Sequence, residues 1–445
     1  MAETDHTHDA SATSWIASAN KPDCDFPIQN LPFAVFRRRG SPEPFRGGVA
    51  IGDQIVDLAA LSRLQRLAGL AQSAVESCAK PALNDFFTLG GAAWKALRFG
   101  LFGLLAQSLA ESEPETVAAL RKCLVPQSAA EYDLPVRIGD YTDFYTSIYH
   151  ARTISKLFNP DADVSQNFHW IPTCYHGRVS TIGVSGQEFH RPCGQTLQSG
   201  DQTPALRPCA RLDYELEVGI FVGKGNRLGE PIAITDAESH VFGICLLNDW
   251  SARDIQAWES VPLGPFHAKN FATTVSPWIV TMDALAPYRK PWTRQQDEPQ
   301  PLPYLDSERV RTQGALDIQL EAALESDAMR RAGQGPVRLS RTSFAHQYWT
   351  VAQMVTHHAV GGCSFQPGDL LGSGTISGPG VDEAGAMMEL ALAGKKPVKL
   401  PNGETRSFIE DGDAIFFRGW CERSGYNRIG FGTSYGRVLP AREIT

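Results

Sequence analysis

Hydrophobic and polar positions along this 445-residue chain change their period twice. Between about residues 26 and 60 the apolar positions fall in short β-type runs, at 33–36 and 49–58, and Gly52-Asp53 predicts a hairpin turn between 49–51 and 54–56. From about 60 to 125 the period lengthens. Leu61, Leu64, Leu67 and Leu70 recur at a three-residue step, as do Trp94, Leu97, Leu101 and Leu104 with one step of four, which predicts helices with one apolar face. From Val136 onward strand-like runs dominate, at 181–184, 214–222, 241–247, 278–281, 316–324, 387–392 and 413–417. Helices are expected at 151–158, 252–258 and 348–359, and the Pro- and charge-rich stretch 287–312 predicts a long surface loop. The pattern divides the chain into a flexible leader (1–25), a small α+β domain (26–132) and a larger, mainly β domain built as a curled sheet or barrel (133–445).

Composition narrows the class. Hydrophobic residues make up 42% and charged residues 20%, which describes a globular chain with a sizeable core. The formal net charge of −8 and a pI near 5.8 argue against nucleic-acid binding, and the densest basic cluster, Lys395, Lys396 and Lys399, reads as a solvated loop. Nine scattered cysteines without a C-x-x-C pair indicate free thiols rather than a zinc ribbon or disulfide framework. The first fifteen residues are polar and acidic, unlike a signal peptide, and the apolar stretch 97–110 is too short and too interrupted to span a bilayer. A cytoplasmic protein with no membrane partner is expected.

Candidate chemistry lies in four segments. In 212–222, Glu215 and Glu217 stand two apart in an apolar run, so they share a strand face and repel unless a cation or solvent compensates. In 241–256 a buried strand runs into Asn248-Asp249; Asp249 or Ser251 is placed to cap the following helix, on which Arg253 and Gln256 share a face, for one site or for surface ion pairs. Segment 139–150 is crowded with Asp, Tyr and Thr and ends at His150; Tyr141, Tyr145 and Tyr149 serve equally as packing residues. The glycine-rich loop 369–378 precedes Glu389 and either makes turns or lets a ligand approach the backbone. A metal held by such Asp and Glu oxygens is calcium, magnesium or manganese rather than zinc or copper. His357 and His358 are adjacent and point apart on a helix, so no histidine cluster competes.

Taken in order, Phe26-Pro-Ile-Gln-Asn-Leu-Pro-Phe, Gly52-Asp-Gln-Ile, Asp140-Tyr-Thr-Asp-Phe-Tyr, Tyr175-His-Gly-Arg, Glu215-Leu-Glu, Asn248-Asp-Trp-Ser-Ala-Arg-Asp, Val261-Pro-Leu-Gly-Pro-Phe, Gly374-Thr-Ile-Ser-Gly and Asp411-Gly-Asp resemble the fumarylacetoacetate hydrolase family over nearly the whole chain. The resemblance implies an SH3-like N-terminal domain, a large catalytic β-roll, a homodimer and hydrolysis of the carbon–carbon bond of 4-fumarylacetoacetate, the last step of tyrosine and phenylalanine breakdown. It implies that Asp143, Glu215, Glu217 and Asp249 hold a catalytic calcium or magnesium. Asp249, Lys269 and Thr273 match a second, structural magnesium site. His150 matches the general base and Glu389 its carboxylate partner. Arg253, Gln256 and Lys269 match groups around the developing negative oxygen, and Tyr145, Tyr175, Gln256 and Thr375 match substrate contacts.

Two positions depart from the animal-type pattern: Asn159, just after Phe158, replaces an Arg, and Ser260 replaces a Tyr. Both belong to the end that holds the substrate carboxylate. Lys156, about one helical turn before Asn159, is the candidate replacement. Hydrolysis of a related acylated diketo acid is therefore the alternative substrate reading. A decarboxylase or isomerase on the same metal site would not need the His150–Glu389 pair, and a non-catalytic binding protein would tolerate loss of His150.

Overall fold

The computed structural model describes residues 3–198, 200–294 and 297–443. The first sheet is antiparallel and five-stranded, in the order Leu124–Pro126, Gln54–Asp57, Arg46–Ile51, Phe33–Arg38, Ala130–Asp133. Its central hairpin is the one the sequence predicts: Ile51 pairs with Gln54, and Gly52 takes the positive φ of 58° that such a turn needs. Helices fill most of the stretch up to Arg121. The leucine series from 61 to 70 is divided between two helices, Leu58–Arg63 and Gly69–Ser77, because Gln65 adopts φ 51° between them; Leu70 ends up exposed. The Gly91–Leu105 helix does bury Trp94, Leu97 and Leu101 together.

The leader corrects the expectation of a loose segment. Trp15 and Ile16 are buried, and the Trp15 indole and Ser14 hydroxyl donate to the Leu104 and Leu105 carbonyls at 3.0 and 2.7 Å. A few apolar side chains in a mostly polar segment dock it once a helix offers a surface, and the buried Thr7 and His8 add hydrogen bonds with Arg98 and the Asp283 carbonyl.

The central sheet has the order Thr173–His176, Tyr141–Tyr145, Leu370–Gly372, Leu216–Val222, Val241–Asp249, Thr273–Val275, Ile182–Val184, with Val280–Thr281 also pairing to Val241–Asp249. Every residue of Leu216–Val222 is buried, since both sheet faces are covered. Alternation sorts them: Leu216, Val218, Ile220 and Val222 join the large core with Leu320, Phe417 and Phe431, while Phe221, with Cys245 and Leu247 from the next strand, packs against Phe33, Phe86 and Leu97 of the N-terminal region. A third sheet, Val337–Ser343, Gln319–Glu325, Ala414–Cys421, Ile429–Leu439 and Gln187–His190, closes the large core. The whole is an α+β fold with strongly curled sheets.

Two further expectations change. Residues 387–392 form no strand; Met387–Leu390 is a one-turn helix, a short apolar run whose period cannot tell the two apart. The stretch 287–312 is not one long loop. It carries the strand Arg289–Lys290 and the helix Glu308–Gln313, and it buries Trp292, Leu305 and Val310; its residues 295 and 296 lie outside the described residues. No helix among the described residues is long and apolar enough to cross a membrane, and all nine cysteines are free.

Candidate active site

Strand register assembles the acids. Asp143 and Gly372 pair on neighbouring strands, Gly372 pairs with Gly219, and Tyr175 pairs with Asp143 on the other side. Asp249 ends the Val241–Asp249 strand, opposite Thr273. Asp143, Glu217 and Asp249 each place a carboxylate oxygen within 4.8 Å of the others, all buried. Gly372 permits this closeness: a Cβ there would lie 2.3 Å from Asp143 Oδ1 and 3.0 Å from Glu217 Oε2. Gly374, at φ 74°, turns its N–H to Glu217 Oε2 at 3.0 Å.

Each acid has a different complement. The Tyr175 hydroxyl stands 2.8 Å from Asp143 Oδ2 and 2.8 Å from Asp249 Oδ2. Lys269 Nζ lies 2.6 Å from Asp249 Oδ2 and also donates to Glu215 Oε2. Arg253 Nη1 pairs with Glu215 Oε1 at 2.7 Å. Glu215 is thus satisfied by two cations, whereas Asp143 Oδ1 and Glu217 Oε1 are buried with no hydrogen-bond partner. These two bare oxygens belong to residues that bring carboxylate ligand atoms within 4.8 Å of one another, the donor set a hard divalent cation requires, so the residues fit calcium or magnesium.

The electrostatics agree. Burial first, then the charge of Asp249, pushes the Asp143 carboxyl well above the usual carboxylate range, and burial with the charges of Asp143 and Asp249 does the same to Glu217. Burial raises Asp249 against the opposing pull of Lys269. Burial would raise Glu215 as well, but Lys269 and Arg253 hold it far below its ordinary value. Lys269 stays firmly charged because Asp249 and Glu215 outweigh its burial. Its ammonium is therefore a donor, not a metal ligand, and among the side chains expected at a second magnesium only Asp249 and the buried Thr273 offer oxygens.

Asp143, Glu215, Glu217, Arg253 and Lys269 line a cavity of about 690 Å³ that also receives Tyr145, His150, Tyr175, Gln256, Ser260 and Thr375. His150 sits on the Ile148–Phe158 helix, whose N-cap Ser147 accepts from the His150 backbone N–H at 3.3 Å. Its Nδ1 is 2.7 Å from Glu389 Oε1. The Ser377 hydroxyl donates to Glu389 Oε1 at 2.8 Å. Nδ1 is committed in this way, which leaves Nε2 for the cavity. Burial, then the charges of Glu215 and Glu389, raises the Tyr145 phenol, and its ring meets His150 edge-on at 5.5 Å.

Asp249 and Ser251 do not cap the Arg253–Glu259 helix; its N-cap is Ala252, and Arg253 Nη1 reaches Gln256 Oε1 at 3.2 Å across one helical turn. Ser260 lines the cavity with its hydroxyl donating to the Gln256 carbonyl at 2.6 Å. Asn159 and Lys156 are exposed and are not among the cavity-lining residues. His357 and His358 point apart, to Tyr304 and Thr142.

Sequence reading missed Asp213 and Ser377, both essentially fully buried. Asp213 had a signal: it continues the alternation of Glu215 and Glu217 one step back. Ser377 had none beyond its place in a glycine-rich loop.

Two family models match the chain in succession. The family model described as Fumarylacetoacetase N-terminal matches residues 29–135, and that described as Fumarylacetoacetate (FAA) hydrolase C-terminal matches 141–438. The chain is 48% identical over 421 residues to the fumarylacetoacetase of Homo sapiens, covering 94% of this chain and 97% of that one. It is 46% identical over 427 residues to the fumarylacetoacetase of Oryza sativa subsp. japonica, covering 94% and 96%. Among solved structures, the fumarylacetoacetate hydrolase from Exiguobacterium antarcticum aligns with a TM-score of 0.46 and 16% identity over 93% of this chain and 100% of that one.

Proposed function

The chain belongs to the fumarylacetoacetate hydrolase family and cleaves the carbon–carbon bond of fumarylacetoacetate with water to give fumarate and acetoacetate, and we propose that the cavity bounded by Asp143 and His150 is where it does so. In this reading Asp143, Glu215, Glu217 and Asp249 surround a calcium or magnesium ion, with Asp143 and Glu217 supplying the oxygens that lack any other partner. When bound, that ion supplies Lewis-acid polarisation of the diketone oxygens and charge balance for the enolate leaving group. A second, structural magnesium would draw on Asp249 and Thr273.

The protein's own groups divide the remaining work. His150 Nε2 takes the proton of the attacking water, while Glu389 on Nδ1 holds the tautomer and balances the imidazolium that forms. The alkoxide then meets Lys269, Arg253 and Gln256, preorganised charges and dipoles that need no rearrangement; one such donor is typically worth about 3 kcal/mol of barrier. Tyr145, Tyr175 and Thr375 line the space in which the diketone lies. Ser260, which lines the cavity, is less bulky there than the Tyr of the animal-type pattern, so hydrolysis of a related acylated diketo acid is the second reading. The chain further reads as a 26–132 SH3-like domain joined to a 133–445 β-roll, working as a cytoplasmic homodimer in the closing reaction of tyrosine breakdown.

The observation that carries this reading is the pair of bare buried oxygens, Asp143 Oδ1 and Glu217 Oε1, in one cavity with a histidine already held by a carboxylate. Its test is His150→Ala assayed against fumarylacetoacetate with calcium or magnesium present. Turnover falls by about 10²–10⁴-fold with the melting temperature retained; turnover within threefold of the parent enzyme would rule the mechanism out.

A further inference from the structure

We infer that Asp213 is a positioning residue that locks the two halves of the catalytic apparatus, the oxyanion-side Arg253 and the Glu389 partner of the base, to a single carboxylate. The inference rests on the reading of His150, Glu389 and Arg253 given above. Asp213 lies on the short strand Leu212–Asp213, paired to Ser251–Ala252, and is fully buried. Arg253 Nε donates to Asp213 Oδ2 at 2.9 Å, while Nη2 stands 2.9 Å from the same oxygen as an ion pair without hydrogen-bond geometry. On the other side, the backbone N–H groups of Met387 and Met388 donate to Oδ1 and Oδ2 at 2.8 and 3.1 Å. Those residues open the one-turn helix whose third residue is Glu389. The Tyr214 N–H completes the set at 2.9 Å to Oδ1.

The chemistry explains why a carboxylate is needed at this point. A helix of four residues has little stability of its own, and its first N–H groups have no intrahelical partner. Asp213 satisfies two of them, and in doing so sets where Glu389 begins. The same group orients the guanidinium of Arg253, whose Nη1 then reaches Glu215 and Gln256. Every donor around Asp213 points inward, so an acceptor-only group suits all of them. An asparagine would turn its NH₂ toward either Arg253 or the helix and release one of the two. The proposed base pair and the proposed oxyanion groups would then no longer share a fixed frame.

The experiment compares Asp213→Asn and Asp213→Ser with Asp413→Asn, which weakens a similarly buried ion pair to Arg406 away from the cavity. Expected for Asp213→Asn is a fall in kcat of about 10–100-fold with KM within about threefold. Asp413→Asn is expected to lower the melting temperature but leave kcat within about twofold. Residues acting as a unit are non-additive, so in a Glu389→Gln background Asp213→Asn costs at least fivefold less than in the parent. A kcat within threefold of the parent, an equal cost in both backgrounds, or failure of both Asp213 variants to fold would each overturn the inference. If His150→Ala is inactive while Asp213→Asn is fully active, only this inference is lost; if His150→Ala is active, the underlying reading falls first.

Discussion

The hydroxyl of Tyr175 stands 2.8 Å from Asp143 and 2.8 Å from Asp249, yet it has one proton to donate. At any moment one of the two carboxylates goes without it, so the phenol relieves this repulsion only in part. Tyr175→Phe leaves Asp143 without its hydrogen-bond donor and Asp249 with Lys269 alone. A hydrogen bond to a charged group contributes about 1.5–3 kcal/mol. The variant is expected to lose about that much stability in chelator and less with calcium or magnesium added, as read by denaturant melts in both conditions. Equal losses in the two would contradict a shared carboxylate–cation site.

Stability should also depend on pH differently with and without the ion. The folded protein raises Asp143, Glu217 and Asp249 above their ordinary values, mainly through burial. A raised folded value means that the native state holds protons more tightly than the unfolded one. Their contribution is then fully present below the ordinary carboxylate range and is lost as pH rises through the raised values. Glu215, held low by Lys269 and Arg253, acts in the other direction and loses its contribution only in strong acid. In chelator, melting temperature is expected to fall as pH rises above the ordinary carboxylate range. With calcium or magnesium that slope flattens or reverses, because the ion replaces the protons, and its affinity rises with pH. Parallel profiles in the two conditions would count against the site.

Glu389 and Ser377 hold the base from behind. Glu389→Gln retains shape but loses the charge that balances the His150 imidazolium, and about a 10²–10⁴-fold loss of kcat is expected. Ser377→Ala removes only the hydroxyl that orients Glu389 and should cost about tenfold or more. The ordering of the two effects, measured at one saturating substrate concentration, is the check; a Ser377→Ala enzyme more damaged than Glu389→Gln would reverse the hierarchy.

Gly372→Ala would set a methyl group 2.3 Å from Asp143 Oδ1. Something must move, and the nearest atoms are those of the Asp143 and Glu217 carboxyl groups themselves. Overpacking of this kind costs about 1–3 kcal/mol. Weaker binding of calcium or magnesium by calorimetry and a lower melting temperature are expected together. An alanine enzyme with unchanged metal affinity would show that Asp143 has room the structure does not display.

The docked leader has its own test. Trp15 is 7% exposed and its indole is bonded to the helix carbonyl of Leu104. Trp15→Ala is expected to cost about 3–5 kcal/mol, with activity in the folded fraction unchanged. A loss under 0.5 kcal/mol would restore the loose leader that the polar sequence suggests.

Local pattern carried much of this protein by itself. The Gly52 hairpin, the helical face of Trp94, Leu97 and Leu101, and the alternation through Glu215 and Glu217 all follow from nearest-neighbour geometry, in which a period of 2 or 3.6 decides which side chains share a face. Order of motifs along the chain carried the family. Pattern could not settle Met387–Leu390, where four apolar-rich residues fit strand and helix alike, nor the leucines at 61–70, whose spacing suits one helix while Gln65 breaks it into two.

What only the tertiary structure decided are relations between residues far apart in the chain. That Lys269 neutralises Glu215 and Asp249 while Asp143 Oδ1 and Glu217 Oε1 stay bare depends on which strands become neighbours. That Asp213 serves Arg253 and the helix of Glu389 at once depends on a contact spanning 174 residues. The physical reason is that periodicity assigns a side chain to a face, whereas charge balance is set by every group within a few ångströms, and those arrive from strands and loops that the chain brings together only on folding.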